Sequence, residues 1–392
     1  MRPLDGIRIL DLSRVLACPF ATMILAELGA EVIKVEQPGT GDETRGYEPF
    51  AGHGVSAYFM ACNRAKRSIT VNLRSKAGAE IVRGLAAQVD AVVENFPTGQ
   101  LARRGLGAAD LRALNPRLVV LSCTGFGQNG PYAKRKGYDT VFQAMAGWLS
   151  LTGERGGGPV KPGLPVADLT SGLWAAIALL SALLGRERGG GGAHIDLSMF
   201  DAQVALLTIA AARYFALGEV PPRLGTEHPG RVPSASFRCR DGRYLHITAS
   251  DQHWVPLCSA LGLPPAPELA ENAARLAARE QVMAMIQSAL DGMTRAEAVA
   301  ALDAADVPNG PVLALDEVLA DPHVAARGSV AEFAHPLLGA FPALRNPLRF
   351  DGWDDPTPGT PPLLGADTDA LLRDMLGYDA ARIAALREEG AI

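Results

Sequence analysis

The first half of the chain alternates short apolar segments with helical segments. Each apolar segment is rich in Val, Ile and Leu and is bounded by turn residues, a pattern that predicts β-strands. These predicted strands cover residues 7–12, 32–35, 68–73, 91–94 and 118–122. Helices are predicted at 19–28, ended by Gly29, and at 75–88, with Ser75 as the N-cap. The alternation predicts an α/β fold, with a parallel sheet covered by helices.

Ligands of such sheets usually bind beyond the carboxyl ends of the strands. Four segments that follow predicted strands are polar or contain glycine, which makes them the places to look for chemistry. They are residues 13–19, 36–45, 95–99 and 124–131.

The pattern changes after Leu151. A glycine-rich loop at 153–163 leads into one extended arm and a helix within 164–188, and a strand follows at 194–199. The apolar stretch 173–184 is shorter than the ~20 residues that span a bilayer, which predicts a buried helix. From about 221 to 321 the chain becomes rich in Pro and Ala, with a strand at 244–248, which predicts a smaller second domain.

Composition favours a folded enzyme over a nucleic-acid or membrane-surface protein. Of 392 residues, 48% are hydrophobic and 20% are charged, enough apolar material for more than one core. The net charge of −5 gives no general attraction to nucleic acid or to an anionic membrane, so an anionic ligand must be held by local basic residues. The first residues lack the pattern of a secretory signal.

The cysteines and glycines exclude several kinds of site. Five cysteines, at 18, 62, 123, 239 and 258, form no C-x-x-C pair and have no histidine at metal-ligand spacing. We therefore expect no metal, small buried thiols and a cytoplasmic location. The glycine clusters 156–158 and 189–192 match neither a P-loop nor a dinucleotide fingerprint, which disfavours a kinase or a nicotinamide dehydrogenase.

The segment GLPVADLTSG at 163–172 sets one acid, Asp168, directly before the long apolar helix. An aspartate at this place is commonly a helix N-cap, which accepts hydrogen bonds from free backbone N–H groups. The functional alternative is a carboxylate held in a cleft as a nucleophile for covalent catalysis. The local pattern alone favours the cap.

Seven motifs, in order along nearly the whole chain, resemble the class III CoA-transferase family, the CaiB/BaiF type, which includes formyl-CoA transferases and succinyl-CoA:glutarate transferases. They are LDLSRVLACPFATMILAELGAEVIKVEQPGTGDETR (10–45), KRSITVNLR (66–74), VVENFPTG (92–99), TGFGQNGP (124–131), GYDTVFQA (137–144), PVADLTSG (165–172) and PPLLG (361–365). Such an ordered set is far more specific than one motif. It favours Asp168 as nucleophile over Asp168 as cap.

The resemblance implies a reaction on acyl-CoA with no tightly bound cofactor. Asp168 would attack the donor thioester and form a mixed anhydride with release of CoA thiolate. The acceptor carboxylate would take the acyl group, and the thiolate would form an aspartyl-CoA thioester that delivers CoA to the product. Carboxylate and thiolate are already anions, so neither a metal nor a general base of unusual pKa is required.

The resemblance also implies a set of CoA contacts. By their places in the matched motifs, these are Val15, Leu16 and Ala17 through backbone groups, Asn95 and Phe96 at the adenosine or pantetheine, the cations Arg74, Arg103 and Lys136 with Arg104 as a near alternative, and Gln37, Val71, Tyr138 and Asp139. Asp139 is expected either to bond the nucleophile region or to cap a helix.

Two residues depart from the family pattern. Cys18 replaces a glycine and would narrow the pocket, and Gln37 replaces an arginine, which removes one phosphate contact.

Two other activities stay open. The α-methylacyl-CoA racemases of the same superfamily carry a histidine where this chain has Tyr138, whose ordinary pKa of ~10 makes a poor base, so transfer is favoured. A catalytically silent CoA-binding protein is the second alternative.

The stretch 223–237 resembles the glutarate-type transferases, which implies a small dicarboxylic acid as acceptor and a succinyl-CoA-like donor. Arg45, His228 and Arg231 are candidates for the distal carboxylate.

By resemblance, the fold is a large Rossmann-like domain made of residues 1–220 and 331–392 and a smaller α/β domain at 221–330. The family further implies that two copies of the chain interlock as a homodimer.

Overall fold

The computed structural model describes residues 1–264 and 266–392, which divide into two compact units. The first unit consists of Met1–Trp148, Pro162–Ala212 and Pro322–Ile392, and the second of Leu149–Lys161 and Arg213–Asp321. The second unit therefore begins before the predicted residue 221, ends before residue 330, and also includes a loop from the middle of the chain.

The strands and helices are short except for one helix. The strands are β1 (Arg8–Asp11), β2 (Glu31–Glu36), β3 (Arg67–Thr70), β4 (Ala91–Glu94), β5 (Val119–Thr124), β6 (His194–Ser198), β7 (Ser234–Arg238), β8 (Tyr244–Thr248), β9 (Asn309–Pro311), β10 (Val330–His335) and β11 (Gly339–Leu344). The α-helices are α1 (Ala17–Glu27), α2 (Ala57–Cys62), α3 (Lys76–Ala86), α4 (Ala108–Leu114), α5 (Asp139–Met145), α6 (Trp148–Leu151), α7 (Val166–Glu187), α8 (Met199–Ala205), α9 (Thr208–Leu217), α10 (Asp251–Ala260), α11 (Asn272–Ala277), α12 (Arg279–Leu290), α13 (Arg295–Ala304), α14 (Leu315–Leu319), α15 (Pro322–Ala326), α16 (Thr368–Leu376) and α17 (Ala380–Glu388). Three 3₁₀ turns cover Glu43–Gly46, Ala102–Arg104 and Pro267–Leu269.

Six parallel strands form the sheet of the first unit, in the order β3-β2-β1-β4-β5-β6. This confirms the predicted α/β fold with a parallel sheet. Successive strands run outwards from β1 in one direction and from β4 in the other, so the order reverses between these two. At such a reversal the loops that follow the strands separate and leave a crevice at the carboxyl edge.

Helices cover both faces of this sheet, which explains why its strands read as nearly continuous apolar runs. Leu10 on β1 packs in the same buried cluster as Leu371 on α16 and Leu386 on α17. Its neighbour Ile9 points to the opposite cluster, which includes Leu179 on α7. The C-terminal helices therefore help to complete the core around the N-terminal strand.

Helix α7 is 22 residues long, and by length and composition alone it is apolar enough to cross a membrane. The expectation that this helix is too short was wrong, because it counted only 173–184 and left out residues 166–172 and 185–187. Helices α8 and α9, which meet at a bend of 62°, would pass the same test if the two were counted as one span. One face of α7, with Ala175 and Leu179, is core, whereas Ile177 is 53% exposed on another. The prediction of a buried helix thus holds for part of its circumference.

The second unit has its own antiparallel sheet, in the order β7-β8-β9. Its core forms where Leu245 and Ile247 of β8 pack with helical side chains such as Trp254 and Val282. Strand β8 was predicted with the same bounds from its alternating pattern.

Four fully buried charges lie beneath the loop that follows β1. The Lys34 ammonium is 2.9 Å from Asp42 Oδ2, and it donates to the Ser13 carbonyl at 2.9 Å. Lys66 donates to Asp11 Oδ2 at 2.9 Å. Burial opposes ionisation of Asp11, but Lys66 and Lys34 outweigh it and hold the pKa of Asp11 at about 2. Lys34 likewise holds the pKa of Asp42 below its ordinary value against the effect of burial, so both aspartates are ionised at neutral pH, whereas burial lowers the pKa of Lys66.

Replacement of Lys34 by Met should destabilise the first unit by about 3–5 kcal/mol, because it leaves Asp42 buried without its cation. Urea denaturation followed by circular dichroism measures the change. The matched control is Arg117→Met, which breaks an exposed pair with Glu187 at 3.4 Å and should change the free energy of unfolding by less than about 1 kcal/mol. Equal losses in the two variants would contradict a structural role for the buried pair.

Candidate active site

A cavity of about 420 Å³ opens at the carboxyl edge of the sheet. It receives side chains from the segments that follow β1, β2, β3 and β4, so it occupies the crevice expected at the reversal of strand order. Its lining includes the predicted residues Gln37, Val71, Arg74 and Phe96. These four of the expected CoA contacts thus meet in one place. The lining does not include the other expected contacts, which are Val15, Leu16, Ala17, Asn95, Arg103, Lys136, Tyr138 and Asp139, or the nucleophile candidate Asp168.

The lining contains one arginine that was predicted as an alternative contact, Arg104, and one that was not predicted, Arg14. Of the adjacent pair at the 3₁₀ turn, Arg104 lines the cavity and Arg103 does not. Arg14 also lines it, and the sequence analysis missed this residue. The available signal was its place directly after β1, at the point where the strand order reverses.

Asn95 connects the loops after β1 and β4. Its side-chain oxygen accepts from the Arg14 N–H at 2.9 Å, and its amide nitrogen donates to the Arg14 carbonyl at 2.7 Å. Phe96, the next residue, is buried, and the Arg14 guanidinium lies 4.7 Å from its ring centroid. Asn95 therefore fixes the backbone of the loop, and Phe96 supports its arginine.

The loop formed by Val15, Leu16 and Ala17 enters α1 in an unusual conformation. Val15 has a φ of 69°, which is rare for a β-branched residue. Its N–H is 3.4 Å from Asp42 Oδ1, and its carbonyl accepts from Cys62 Sγ at 3.5 Å. The buried charge network and α2 therefore hold the strained turn from both sides.

A glycine in the first turns of α7 brings that helix against the start of α1. A Cβ atom at Gly172 would lie 2.5 Å from the Ala17 carbonyl oxygen. Only glycine permits this approach, which explains the glycine that ends the DLTSG motif. It places the Val15–Ala17 loop next to the helix that carries Asp168.

Asp168 is the third residue of α7 and is not its cap. The helix is capped by Asp139, whose Oδ1 accepts from the Ala167 N–H at 2.8 Å and from the Asp168 N–H at 3.2 Å. Gln143 donates to the other oxygen of Asp139 at 2.6 Å. The cap interpretation of Asp168 was wrong, because an acid distant in sequence satisfies the free N–H groups.

The environment makes Asp168 a stronger base than an ordinary aspartate. Burial, and then the neighbouring charge of Asp139, raise the pKa of Asp168 to about 7. At neutral pH roughly half of the Asp168 side chains are protonated.

Tyr58 on α2 is a second residue that the sequence analysis missed. Burial, the Cys62 thiol and the Asp168 carboxylate raise the pKa of its hydroxyl above the ordinary range, so it stays protonated. A protonated tyrosine near Asp168 is a potential hydrogen-bond donor to an oxyanion. In contrast, Lys136 is exposed and Tyr138 is 80% exposed at the start of α5. Neither lines the cavity.

The three residues proposed for the distal carboxylate belong to different units, Arg45 to the first and His228 and Arg231 to the second. Arg45 binds both oxygens of Glu36, at 2.7 Å each, and its guanidinium lies 3.7 Å from the Phe59 ring centroid. His228 and Arg231 are exposed in the second unit, where His228 Nδ1 accepts from the Gly230 N–H at 3.0 Å. Arg45 thus serves a protein carboxylate.

Cys18 does not line the cavity. Its side chain is fully buried at the start of α1, where a hydrogen bond with Cys123 and burial raise the pKa of its thiol. Gln37 does lie in the lining, as the resemblance implied. Among residues 1–264 and 266–392, no group of three or more His, Cys, Asp or Glu side chains is placed to hold a metal ion.

Comparisons with known proteins identify the family of the chain. Residues 4–368 match the model of the CoA-transferase family III. The succinyl-CoA:glutarate CoA-transferase of Mus musculus is 38% identical over 398 residues, which cover 100% of this chain and 91% of that protein. The acetyl-CoA:oxalate CoA-transferase of Acetobacter aceti is 37% identical over 367 residues, 92% of this chain and 93% of that protein.

A solved structure gives the same answer for the fold. The crystal structure of a CAIB/BAIF family protein from Brucella suis superposes with a TM-score of 0.85 at 39% identity, covering 95% of this chain and 99% of that one. The chain belongs to the CoA-transferase family III and is a class III CoA-transferase.

Proposed function

We propose that the enzyme moves CoA from a succinyl-CoA-like donor to a small dicarboxylic acid, with Asp168 as the covalent nucleophile. The observation that carries the proposal is the pairing of Asp139 with Asp168. Asp139 takes the helix N–H groups, and in the described residues no donor binds the Asp168 side chain. An unengaged carboxylate of raised pKa is a better nucleophile than a capping one.

The reaction begins when an ionised Asp168 oxygen attacks the thioester carbonyl carbon. The C–S bond breaks, CoA leaves as the thiolate, and Asp168 and the acyl group form a mixed anhydride. The thiolate then attacks the Asp168 carbonyl carbon, which releases the donor acid as a carboxylate and leaves an aspartyl-CoA thioester. Tyr58 is a candidate donor to the oxyanions of these steps.

The acceptor enters in the second half. Its carboxylate attacks the aspartyl thioester, which gives a second anhydride and free thiolate, and the thiolate attacks the acceptor's acyl carbon. The products are acceptor-CoA and free Asp168. This order differs from the expectation that the acceptor takes the acyl group first, because thioester formation at Asp168 itself expels the donor acid.

The names of the relatives support dicarboxylates as substrates, and they include both glutarate and oxalate. His228 and Arg231 remain predictions for the distal carboxylate. A panel of dicarboxylates from two to six carbons, with succinyl-CoA as donor and mass detection of the acyl-CoA products, measures the preference. Transfer to monocarboxylates at equal or higher kcat/KM would contradict the dicarboxylate proposal.

Replacement of Asp168 by Ala should lower transfer by at least about a thousandfold while CoA still binds, because only the covalent bond is lost. Addition of hydroxylamine to the wild-type enzyme with succinyl-CoA should convert Asp168 into a hydroxamate, detected by peptide mass spectrometry. Asp110→Asn, at the first turn of α4, is the control and should leave transfer unchanged. A hydroxamate at another residue, or full activity of Asp168→Ala, would refute covalent catalysis by Asp168.

The pH dependence follows from the raised pKa. Below about pH 7 Asp168 is protonated and cannot attack, so kcat/KM should rise with pH and level off above about 7. Asp139→Asn keeps an oxygen to accept the α7 N–H groups but removes the like charge, so the rising limb should move to lower pH. Burial remains, and the limb should stay above the ordinary pKa of 3.8. A limb that does not move in this variant would argue that it reports another group.

We further propose that a second copy of this chain covers exposed apolar side chains of α7 and of α9. They include Leu173, Trp174 and Ile177 on α7 and Ile209 on α9, and Ile209 is 80% exposed. Exposed apolar surface of this kind commonly marks an interface.

Ile177→Glu combined with Ile209→Glu should shift the protein from dimer to monomer, measured by light scattering after size-exclusion chromatography. The control is the same charge change at Leu114, a 40% exposed residue at the end of α4. A wild-type monomer at micromolar concentration would contradict self-association.

A further inference from the structure

The cavity at the carboxyl edge of the sheet contains an excess of positive charge. Arg14, Arg74 and Arg104 line it, and in the described residues none of their guanidinium groups has an ion-pair partner. The buried acids of the lining are already matched, since Glu36 binds Arg45 at 2.7 Å and Asp42 binds Lys34 at 2.9 Å. Glu43 is the remaining acid of the lining. The cavity is therefore prepared for a polyanion in a chain whose net charge is −5.

Arg14 is the most constrained of the three arginines. Asn95 binds both its backbone N–H and its carbonyl, at 2.9 and 2.7 Å. The Phe96 ring lies 4.7 Å from the guanidinium, which restricts the long side chain without using its N–H groups. A planar guanidinium with free N–H groups is suited to bidentate binding of phosphate.

Gln37, which enters the same cavity after β2, is neutral. We infer that Arg14 is a further CoA-binding residue, which binds a phosphate of CoA together with Arg74 and Arg104 and supplies the charge that Gln37 lacks. The inference rests on the proposed function for the identity of the ligand. It concerns binding and not the chemistry at Asp168.

The test is the affinity of the full-length protein for CoA and for 3′-dephospho-CoA, measured by calorimetry. Arg14→Gln should weaken CoA binding by about 10- to 100-fold, the effect of one lost hydrogen bond to a charged group. The control is Arg382→Gln, an exposed arginine of α17, whose affinity should stay within about twofold of wild type. Thermal melts of both variants should match wild type, because both side chains are exposed.

The two ligands identify which phosphate Arg14 binds. If Arg14→Gln weakens CoA but not 3′-dephospho-CoA, the partner is the 3′-phosphate, and if it weakens both equally, the partner is the diphosphate. Wild-type affinity for CoA in Arg14→Gln, or an equal loss in Arg382→Gln, would overturn the inference. Binding needs no turnover, so a wild-type protein that binds CoA through Arg14 but transfers nothing would refute the proposed function alone.

Discussion

The pairing of Lys34 with Asp42 and of Lys66 with Asp11 is the constraint on which the site depends. These charges lie on or beside the first three strands of a sheet that is covered on both faces, so water cannot solvate them and each must find a partner. The partners lie beneath residues 13–17, and the ions therefore bind that loop as well as each other. The left-handed conformation of Val15 costs about 1–3 kcal/mol, and it persists because the surrounding contacts leave the loop no alternative. The same loop carries Arg14 into the cavity and starts the helix that packs against α7.

A second constraint is which carboxylate binds the free N–H groups at the N-terminal end of α7. The positive end of a helix stabilises one anion well, and here Asp139 occupies it through two backbone N–H groups. Asp168, which lies in the first turn of the helix, is partly buried and close to the negative charge of Asp139, and both effects raise its pKa. A higher pKa makes the carboxylate more nucleophilic but leaves less of it ionised, and a value near the working pH balances these two effects. Asp139 thus acts on Asp168 without touching the acyl group.

The sequence predicted the sheet well, because runs such as AVVE and VVLSC, buried on both faces, are characteristic of parallel strands. The family motifs also predicted Arg74 and Phe96, which line the cavity, and Asp168, whose role as nucleophile remains a proposal. It could not predict features that depend on distant residues. Asp139 and Asp168 are 29 positions apart, so which of them caps α7 is decided by packing. A local pattern likewise does not show whether Arg103 or Arg104 lines the cavity, because the orientation of the 3₁₀ turn decides which of the two side chains reaches it. Arg14 was not predicted, because a single arginine after a strand resembles any solvated surface charge. The role of Lys34 was not predicted either, because a lysine within the strand sequence EVIKVE gives no sign that an aspartate is buried beside it.

The exposed face of α7 lies close to Asp168, the proposed nucleophile at the start of the same helix. An anhydride of Asp168 is hydrolysed by water, so the proposed mechanism needs a site from which bulk water is excluded. Leu173 and Trp174 lie five and six residues beyond Asp168, which at about 1.5 Å per residue is under 10 Å along the helix. A surface that covers these exposed side chains would therefore end close to the nucleophile. Self-association would then contribute to catalysis by restricting the access of water to Asp168. A chain that remained a monomer would be expected to lose a larger share of the Asp168 anhydride to hydrolysis.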